Sequence, residues 1–256
     1  LATRLLQQVD RVYSPGGGTH HGRPDRASGF CYLNDIVLGM LSLLDQGARR
    51  IAYVDLDAHH GDGVQDALSH DDRVLIVSVH EADRWPKTGT IDDKGGGNAR
   101  NLPVPAGFHD AELSALTERL LVPWISGFDP EVLIIQGGSD AVADDPLSKL
   151  ALTNRALWTA IQELLSCSPK VIVLGGGGYN PWTVGRCWAG VWATMTGQDV
   201  NQELTLESRS ILTGLKWDRL RGAPPKKAWL DQLADARTPQ AVRPVIDSLI
   251  QRAHHQ

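Results

Sequence analysis

The sequence of 256 residues has few cysteines, no long apolar run and no excess of positive charge. Its three cysteines, Cys31, Cys167 and Cys187, lack paired spacing, which argues against a disulfide framework and favours a reducing compartment. A net charge of −5 excludes the basic surface that a nucleic acid or an anionic membrane would require. No run reaches a bilayer span, and the N-terminal residues lack a signal-peptide core. We therefore expect a cytoplasmic protein that acts without nucleic acid or membrane.

Four segments share a polar start, a β-branched apolar run and a glycine- or acid-rich end. They are residues 50–57, 73–80, 130–138 and 170–178. Because these runs are continuous rather than alternating, they indicate strands covered on both faces, as in a parallel sheet. Helical patterns alternate with them. These are residues 34–45, residues 110–125 with Pro123 bending or ending the helix, a helix from Thr153 to about Ser166, and one beginning at Asn180-Pro181. The predicted fold class is α/β, a three-layer, doubly wound, mostly parallel sheet.

The end of the chain differs in character from the rest. After Gly197 it has charged helical segments on either side of a Pro224-Pro225 break, and no catalytic constellation. We therefore expect residues 201–256 to form a helical C-terminal extension packed on the domain formed by residues 1–200.

The densest group of ionisable residues follows the strand in residues 50–57. Alternate side chains of an extended chain share a face, so Asp55 and Asp57 point the same way and His59 joins them. Carboxylate and imidazole ligands that converge at a strand end suit a divalent metal such as zinc. Folding alone does not require this density, since burying unpaired charge is costly. The structural alternative is a turn whose acids cap a helix.

Three further clusters lie in predicted loops, where ligands bind a doubly wound sheet. His20 and His21 follow a glycine run, Asp140 ends an apolar strand, and Tyr179 follows the four glycines 175–178. Taken singly, each has a structural explanation: a surface loop, a helix cap and a tight turn, respectively.

In combination and order, these clusters resemble the zinc-dependent histone deacetylases, including the bacterial acetoin-utilisation-type members, of the arginase/deacetylase superfamily. The motifs are residues 19–22, 24–35, 55–63, 138–140 with 145–146, and 174–180. The likeness covers roughly residues 10–200 and implies an arginase/deacetylase-like fold. It also implies a metal-dependent amidohydrolase that removes acetyl groups from acetyl-lysine or a related acylated amine, with acetate and a free amine as products.

The resemblance implies two cation sites. Asp57, His59 and Asp140 would bind Zn²⁺, with Fe²⁺ as the alternative metal, and would leave positions open for water and substrate. An inner site for K⁺ or Na⁺ would be formed, partly through backbone carbonyls, by Asp55, Asp57, His59, Ser78 and Val79.

The resemblance also assigns catalytic roles. His20 and His21 would lie beside the reacting water, with His21 as general base and acid. Asp55 would orient His20 and Asp62 would orient His21, because an acid behind an imidazole fixes its tautomer. Tyr179 would donate a hydrogen bond to the substrate carbonyl and to the oxyanion that develops from it.

A narrow channel would receive the acyl-lysine stem. The residues that the resemblance places there are Gly29, Phe30, Trp85, Leu147 and Gly177. The resemblance places Leu147 where polyamine-preferring relatives carry an acid. Leucine offers no counter-charge for a polycationic substrate. We therefore expect acetyl-lysine in proteins, or a small acylated amine.

The family normally has a further N-terminal portion before the paired histidines, whereas here His20 lies near the start and the chain begins with Leu. We expect either a piece of a longer protein or a naturally short variant with an open site. Without that portion apolar core would be exposed, so we expect a homo-oligomer or a partner on that side.

Two other functions stay open at the level of sequence. One is an arginase-like dinuclear amidinohydrolase, which needs a second set of bridging acids and histidines. The other is a non-catalytic or partner-dependent deacetylase fragment that binds metal without turnover.

Overall fold

Six parallel strands form one sheet in the computed structural model, which describes residues 1–218 and 222–254. The strands are β1 Arg11–Ser14, β2 Ile51–Asp55, β3 Val74–Glu81, β4 Ala99–Val104, β5 Val132–Gln136 and β6 Lys170–Leu174. Their order across the sheet is β1-β6-β5-β2-β3-β4, and every neighbouring pair is parallel. The predicted α/β class with a parallel sheet is confirmed.

Helices cover both faces of this sheet. They are α1 Ala2–Leu5, α2 Asp35–Asp45, α3 Asp62–Leu68, α4 Asp110–Leu116, α5 Val122–Phe128, α6 Asn154–Leu164, α7 Pro181–Thr196, α8 Leu206–Gly214, α9 Lys227–Asp231 and α10 Pro244–Ala253. Strand β2 shows why three layers result. Ile51 and Tyr53 belong to one apolar core, while Ala52 and Val54 belong to the other. The continuous apolar runs in the sequence arise from this double burial.

The four predicted strands are present, and the sequence pattern missed two more. The missed strands, β1 and β4, lie at the two edges of the sheet. Their sequences, Arg-Val-Tyr-Ser and Ala-Arg-Asn-Leu-Pro-Val, mix polar residues and a proline into the strand. Edge strands tolerate such residues because one side of their backbone has no partner strand to satisfy.

The predicted starting points of the helices are confirmed. Asn34 caps α2 by accepting from Val37 N, and Thr153 caps α6 by accepting from Ala156 N. Pro123 does not end the helical stretch, which continues to Phe128, and the alternative that it bends the helix stays a prediction. A π-helical turn, Thr117–Leu121, precedes the proline, which sits in the first turn of α5 where its missing N–H costs least.

Residues beyond 200 are tied to the sheet domain by buried polar contacts. Asn154 Nδ2 donates to the Leu233 carbonyl at 2.9 Å, and its Oδ1 accepts from Asp235 N at 2.9 Å. The Arg243 guanidinium pairs with Glu112, which is fully buried at the start of α4. In the part of the chain that the structure describes, no helix has the length and apolar character needed to cross a membrane.

Candidate metal and catalytic site

The candidate site lies where β2 and β5 end. Asp55 is the last residue of β2 and stands in register with Ser78 of β3 and Gln136 of β5. Asp57 and His59 follow in the next loop, and Asp140 lies in the 3₁₀ turn Ser139–Ala141 just after β5. Adjacent parallel strands end at the same edge, so the fold brings distant acids together at one point.

Asp57, His59 and Asp140 form a buried triad of ligand groups. Nδ1 of His59 lies 3.1 Å from Oδ1 of Asp57 and 2.9 Å from Oδ2 of Asp140. One ligand atom of each residue lies within 4.8 Å of the others. All three residues are buried, with His59 the most accessible at 8%. This converging N/O set could hold a divalent metal ion with three protein ligands.

The electrostatics of the triad favour a bound cation. Burial opposes charge on His59, but hydrogen bonds to Asp140 and Asp57 outweigh it and raise its pKa to about 11. Burial and the charge on Asp57 raise the pKa of Asp140 to about 7. Two buried carboxylates therefore compete for positive charge, and the Nδ1 proton of His59 supplies part of it. A divalent cation can take the place of that proton, so these residues fit a metal ion.

Backbone groups hold the carboxylates from behind. Gly177 N donates to Asp57 Oδ2 at 2.7 Å, and Ala58 N donates to Asp140 Oδ1 at 3.0 Å. The backbone of Gly177 also lies very close to Asp140, since a Cβ added to Gly177 would lie 2.2 Å from Asp140 Oδ2. Only glycine permits this approach, which explains one of the four glycines before Tyr179.

His20 and His21 each have a carboxylate behind Nδ1. Nδ1 of His20 lies 2.7 Å from Asp55 Oδ2, and Nδ1 of His21 lies 2.7 Å from Asp62 Oδ1. The two ring centroids are 3.9 Å apart. Each dyad fixes its ring and leaves Nε2 as the nitrogen available for chemistry. The structure thus brings together all four residues that the sequence predicted for these pairs.

The two imidazoles have different proton affinities. Burial opposes charge on His20, but Asp55 and Asp57 prevail and raise its pKa to about 9. Burial and the neighbouring His20 lower the pKa of His21. Adjacent titratable groups whose pKa values diverge are typical of acid–base sites.

The sequence analysis assigned no role to three residues that support these dyads and the triad. The Tyr53 hydroxyl donates to Asp55 Oδ2 at 2.7 Å, and the Arg23 guanidinium pairs with Asp62. Gln136 Nε2 donates to Asp57 Oδ2 at 3.3 Å. A signal existed for Tyr53, which lies two residues before Asp55 on the same face of β2. Gln136 was placed at the end of a predicted strand beside Asp140, but with no role. No signal existed for Arg23, because its contact depends on packing between distant segments.

A cavity of about 320 Å³ opens onto the triad. Of the predicted channel residues, it is lined by Gly29, Phe30, Trp85 and Leu147, together with Tyr179, His21 and His59. Trp85 packs edge-on to His21 with ring centroids 4.6 Å apart, and Phe30 lies 5.8 Å from the Tyr179 ring. Gly177 does not line this cavity and lies behind the triad instead. Arg84 and Pro146 also line it and were not identified from the sequence.

Tyr179 faces the cavity from the loop between β6 and α7. Burial, together with the carboxylates of Asp140 and Asp57, raises the pKa of its hydroxyl well above the usual range. The phenol therefore stays protonated at neutral pH and can act as a hydrogen-bond donor. An oxyanion forming beside the triad is a suitable acceptor.

The inner K⁺ or Na⁺ site stays a prediction, and the side-chain contacts of its residues are made within the protein. Asp55 Oδ1 accepts from Asp57 N at 3.1 Å, and Ser78 Oγ lies 2.9 Å from His80 Nδ1. All five predicted residues are buried: Asp55 ends β2, Asp57 and His59 lie in the loop after it, and Ser78 and Val79 lie in β3.

Comparison with known proteins identifies the same family. The family model for the histone deacetylase domain matches residues 1–195. The chain is 40% identical over 209 residues to a putative histone deacetylase 2 of Caenorhabditis elegans, covering 79% of this chain and 41% of that protein. It is 38% identical over 210 residues to histone deacetylase 8 of Xenopus laevis, covering 79% and 64% respectively. The chain therefore spans about 41–64% of the length of these two curated relatives.

Solved structures agree with this result. A crystal structure of a histone deacetylase homologue from Aquifex aeolicus superposes with a TM-score of 0.86 at 33% identity, covering 94% of this chain and 67% of that one. A homologue complexed with SAHA gives a TM-score of 0.87 over the same shares of the two chains. Because the family model matches residues 1–195 of its 256 residues, the chain belongs to the histone deacetylase family.

Proposed function

We propose that the protein is a metal-dependent deacetylase that hydrolyses acetyl-lysine or a related acylated amine. One observation carries this proposal: a buried Asp57–His59–Asp140 triad lies beside two carboxylate–imidazole dyads and below a cavity lined by Tyr179. Asp55 and Asp62, two further carboxylates close by, are engaged by His20 and His21. This favours one catalytic metal over an arginase-like pair. Residues 1–200 would form the catalytic domain and residues 201–256 a helical extension packed on it.

The triad would hold Zn²⁺, or Fe²⁺ as the alternative. A divalent ion at such a site supplies Lewis acidity that activates water and polarises an amide carbonyl. The inner K⁺ or Na⁺ site at Asp55, Asp57, His59, Ser78 and Val79 belongs to the same proposal, supported by the burial of these residues in β2, the loop after it and β3.

The chain's own residues would handle the proton and the developing charge. Because Asp62 engages Nδ1 of His21, its Nε2 is left to accept a proton from the attacking water. Tyr179 donates to the carbonyl oxygen as it becomes an oxyanion. As the C–N bond breaks, the same imidazole returns the proton to the departing amine. His20, held by Asp55, adds positive charge beside the reacting group.

The cavity supports an acyl-lysine substrate. Phe30 and Trp85 present aromatic surfaces to a stem of methylene groups, and Leu147 keeps the lining apolar. A polyamine would find no acid at position 147. A small acylated amine is the alternative substrate. Three free cysteines support a cytoplasmic location for this chemistry.

A deacetylase assay on a fluorogenic acetyl-lysine peptide tests the proposal. We expect turnover by metal-loaded protein, inhibition by a hydroxamate, and a loss of about 10²–10³ in kcat for Tyr179→Phe. Metal analysis of protein purified without supplement identifies the ion. Stoichiometric metal without turnover would instead establish the non-catalytic fragment, and a Tyr179→Phe variant with wild-type kcat would remove the oxyanion role.

We also propose that a homo-oligomer or a partner covers the surface around α2. Leu38 and Leu41, one turn apart on α2, are 56% and 44% exposed. Tyr32 and Leu33, just before this helix, are 84% and 69% exposed. Exposed apolar groups this close together are typical of interaction surfaces. Sedimentation velocity checks the proposal, and a monodisperse monomer that stays soluble without a partner would contradict it.

A further inference from the structure

We propose that Asp145 is a positioning residue for the reaction, whose carboxylate joins the two walls of the cavity and so fixes where Tyr179 lies. This inference rests on the proposed deacetylase function. Oδ1 of Asp145 accepts from Leu147 N at 2.9 Å, and Oδ2 accepts from Tyr179 N at 2.7 Å. Both residues that it holds line the cavity, and they come from different loops. The carboxylate itself is not among the lining groups.

Keeping the carboxylate of Asp145 charged at this buried position costs free energy. The residue is 7% exposed, and burial raises the pKa of its carboxyl to about 6, although the two backbone amides act in the opposite direction. Within residues 1–218 and 222–254, no cationic side chain forms an ion pair with it. A buried carboxylate without a counter-ion is a poor means of stabilising a fold. Its two contacts, both to cavity walls, give it a different role.

The Tyr179 segment needs such a contact because of what precedes it. Gly176 and Gly178 adopt φ values of 135° and 150°, which allow a loop geometry that other residues rarely take. On the far side, Asn180 caps α7 and its Nδ2 donates to the Asp144 carbonyl at 3.1 Å. Tyr179 thus sits between a permissive glycine run and an anchored helix start. The bond from its N–H to Asp145 fixes the backbone that carries the phenol.

The consequence for the reaction is geometric. A hydrogen-bond donor to an oxyanion acts only at the correct distance, and a displacement of about 1 Å can cost roughly 10² in rate. Removing one acceptor from Asp145 should therefore act through Tyr179. Its effect should fall on kcat more than on KM, because Tyr179 donates most strongly in the transition state.

The test is a double-mutant cycle with Asp145→Asn and Tyr179→Phe, using Asp144→Asn as the matched control. Asparagine keeps the shape of Asp145 but presents a donor to one of the two amides. Asp144 is the neighbouring exposed acid, whose side chain reaches only Lys226 among the described residues. We expect Asp145→Asn to lower kcat about 10- to 100-fold, but less than about threefold when Tyr179 is already Phe. Asp144→Asn should leave kcat unchanged.

Amide hydrogen exchange of the peptide 175–180 gives a readout that needs no turnover. Asp145→Asn should accelerate exchange in this peptide, with no fall in the midpoint of thermal unfolding, and Asp144→Asn should not. Equal losses of kcat in both Tyr179 backgrounds, or unchanged exchange, would overturn the positioning role. If the wild-type protein does not turn over, the proposed function fails while the exchange result still decides whether Asp145 holds the Tyr179 segment.

Discussion

The close approach of Gly177 to the metal triad allows a sharp test of the site. A Cβ at this position would lie 2.2 Å from Asp140 Oδ2 and 2.8 Å from Asp57 Oδ2, whereas real Cβ contacts essentially never fall below 3.0 Å. Gly177 does not adopt a positive φ, so alanine introduces no backbone strain of its own. The perturbation in Gly177→Ala is therefore purely steric and is aimed at two ligand carboxylates.

The expected size of the effect follows from these distances. To restore a normal contact, the Asp140 carboxylate must move by roughly 0.8 Å, which is several times the ±0.2 Å within which metal–ligand distances are held. Even changes behind a ligand cost 10- to 100-fold in metal affinity. We therefore expect Gly177→Ala to weaken metal binding by at least about 100-fold and to lower kcat at saturating metal.

Gly137→Ala is the matched control. A Cβ there would meet Ile161 Cδ1 at 3.4 Å and the Leu174 carbonyl at 3.5 Å, which are ordinary contacts. Metal affinity would be measured by competition with a chromophoric chelator, and folding would be checked by circular dichroism. If Gly177→Ala binds metal as tightly as the wild type while Gly137→Ala behaves normally, Asp140 and Asp57 do not form the metal site.

Three further predictions concern stability. Removal of metal by a chelator should lower the midpoint of thermal unfolding, and zinc should restore it, because an ion present at 100 times its Kd stabilises the fold by about 2.7 kcal/mol. Because the pKa of Asp145 is raised to about 6 in the folded protein, its charged form destabilises the fold above pH 6. Protonation in the folded state removes this penalty as the pH falls towards 4. Urea unfolding should therefore show Asp145→Asn gaining up to about 3 kcal/mol on the wild type between pH 4 and pH 7. Asn154→Ala should cost about 1–3 kcal/mol and loosen the tail, seen as faster hydrogen exchange near Asp235, because it removes bonds to that residue and to Leu233.

The fold could be predicted from the sequence where the burial of a strand produces a recognisable apolar pattern. Strands β2, β3, β5 and β6 are buried on both faces, and their apolar runs predicted them. Strands β1 and β4 at the edges carry Arg11 and Arg100 and were missed. Whether Pro123 ends the helix could not be decided from the sequence, because a proline tolerated in a helical turn differs from one that stops a helix only in its surroundings.

The site was predictable where short motifs carry several functional groups each. His20, His21, Asp55 and Asp62 meet as the family resemblance implied. The contacts that support these residues were harder to predict from the sequence. Asp145 follows Asp140 closely in sequence, but its link to the backbone of Tyr179 depends on how two loops pack, and no local pattern encodes that packing.

Asp55 has a consequence for how variants of this site must be interpreted. Its Oδ2 receives both the Tyr53 hydroxyl and Nδ1 of His20, while its Oδ1 receives the backbone N–H of Asp57. One carboxylate thus fixes an imidazole and the peptide that carries a metal ligand. Replacing Asp55 would disturb proton transfer and metal coordination together, so the loss of activity in such a variant measures neither one. Substitutions at His20 and Asp57, made separately, are needed to resolve the two effects.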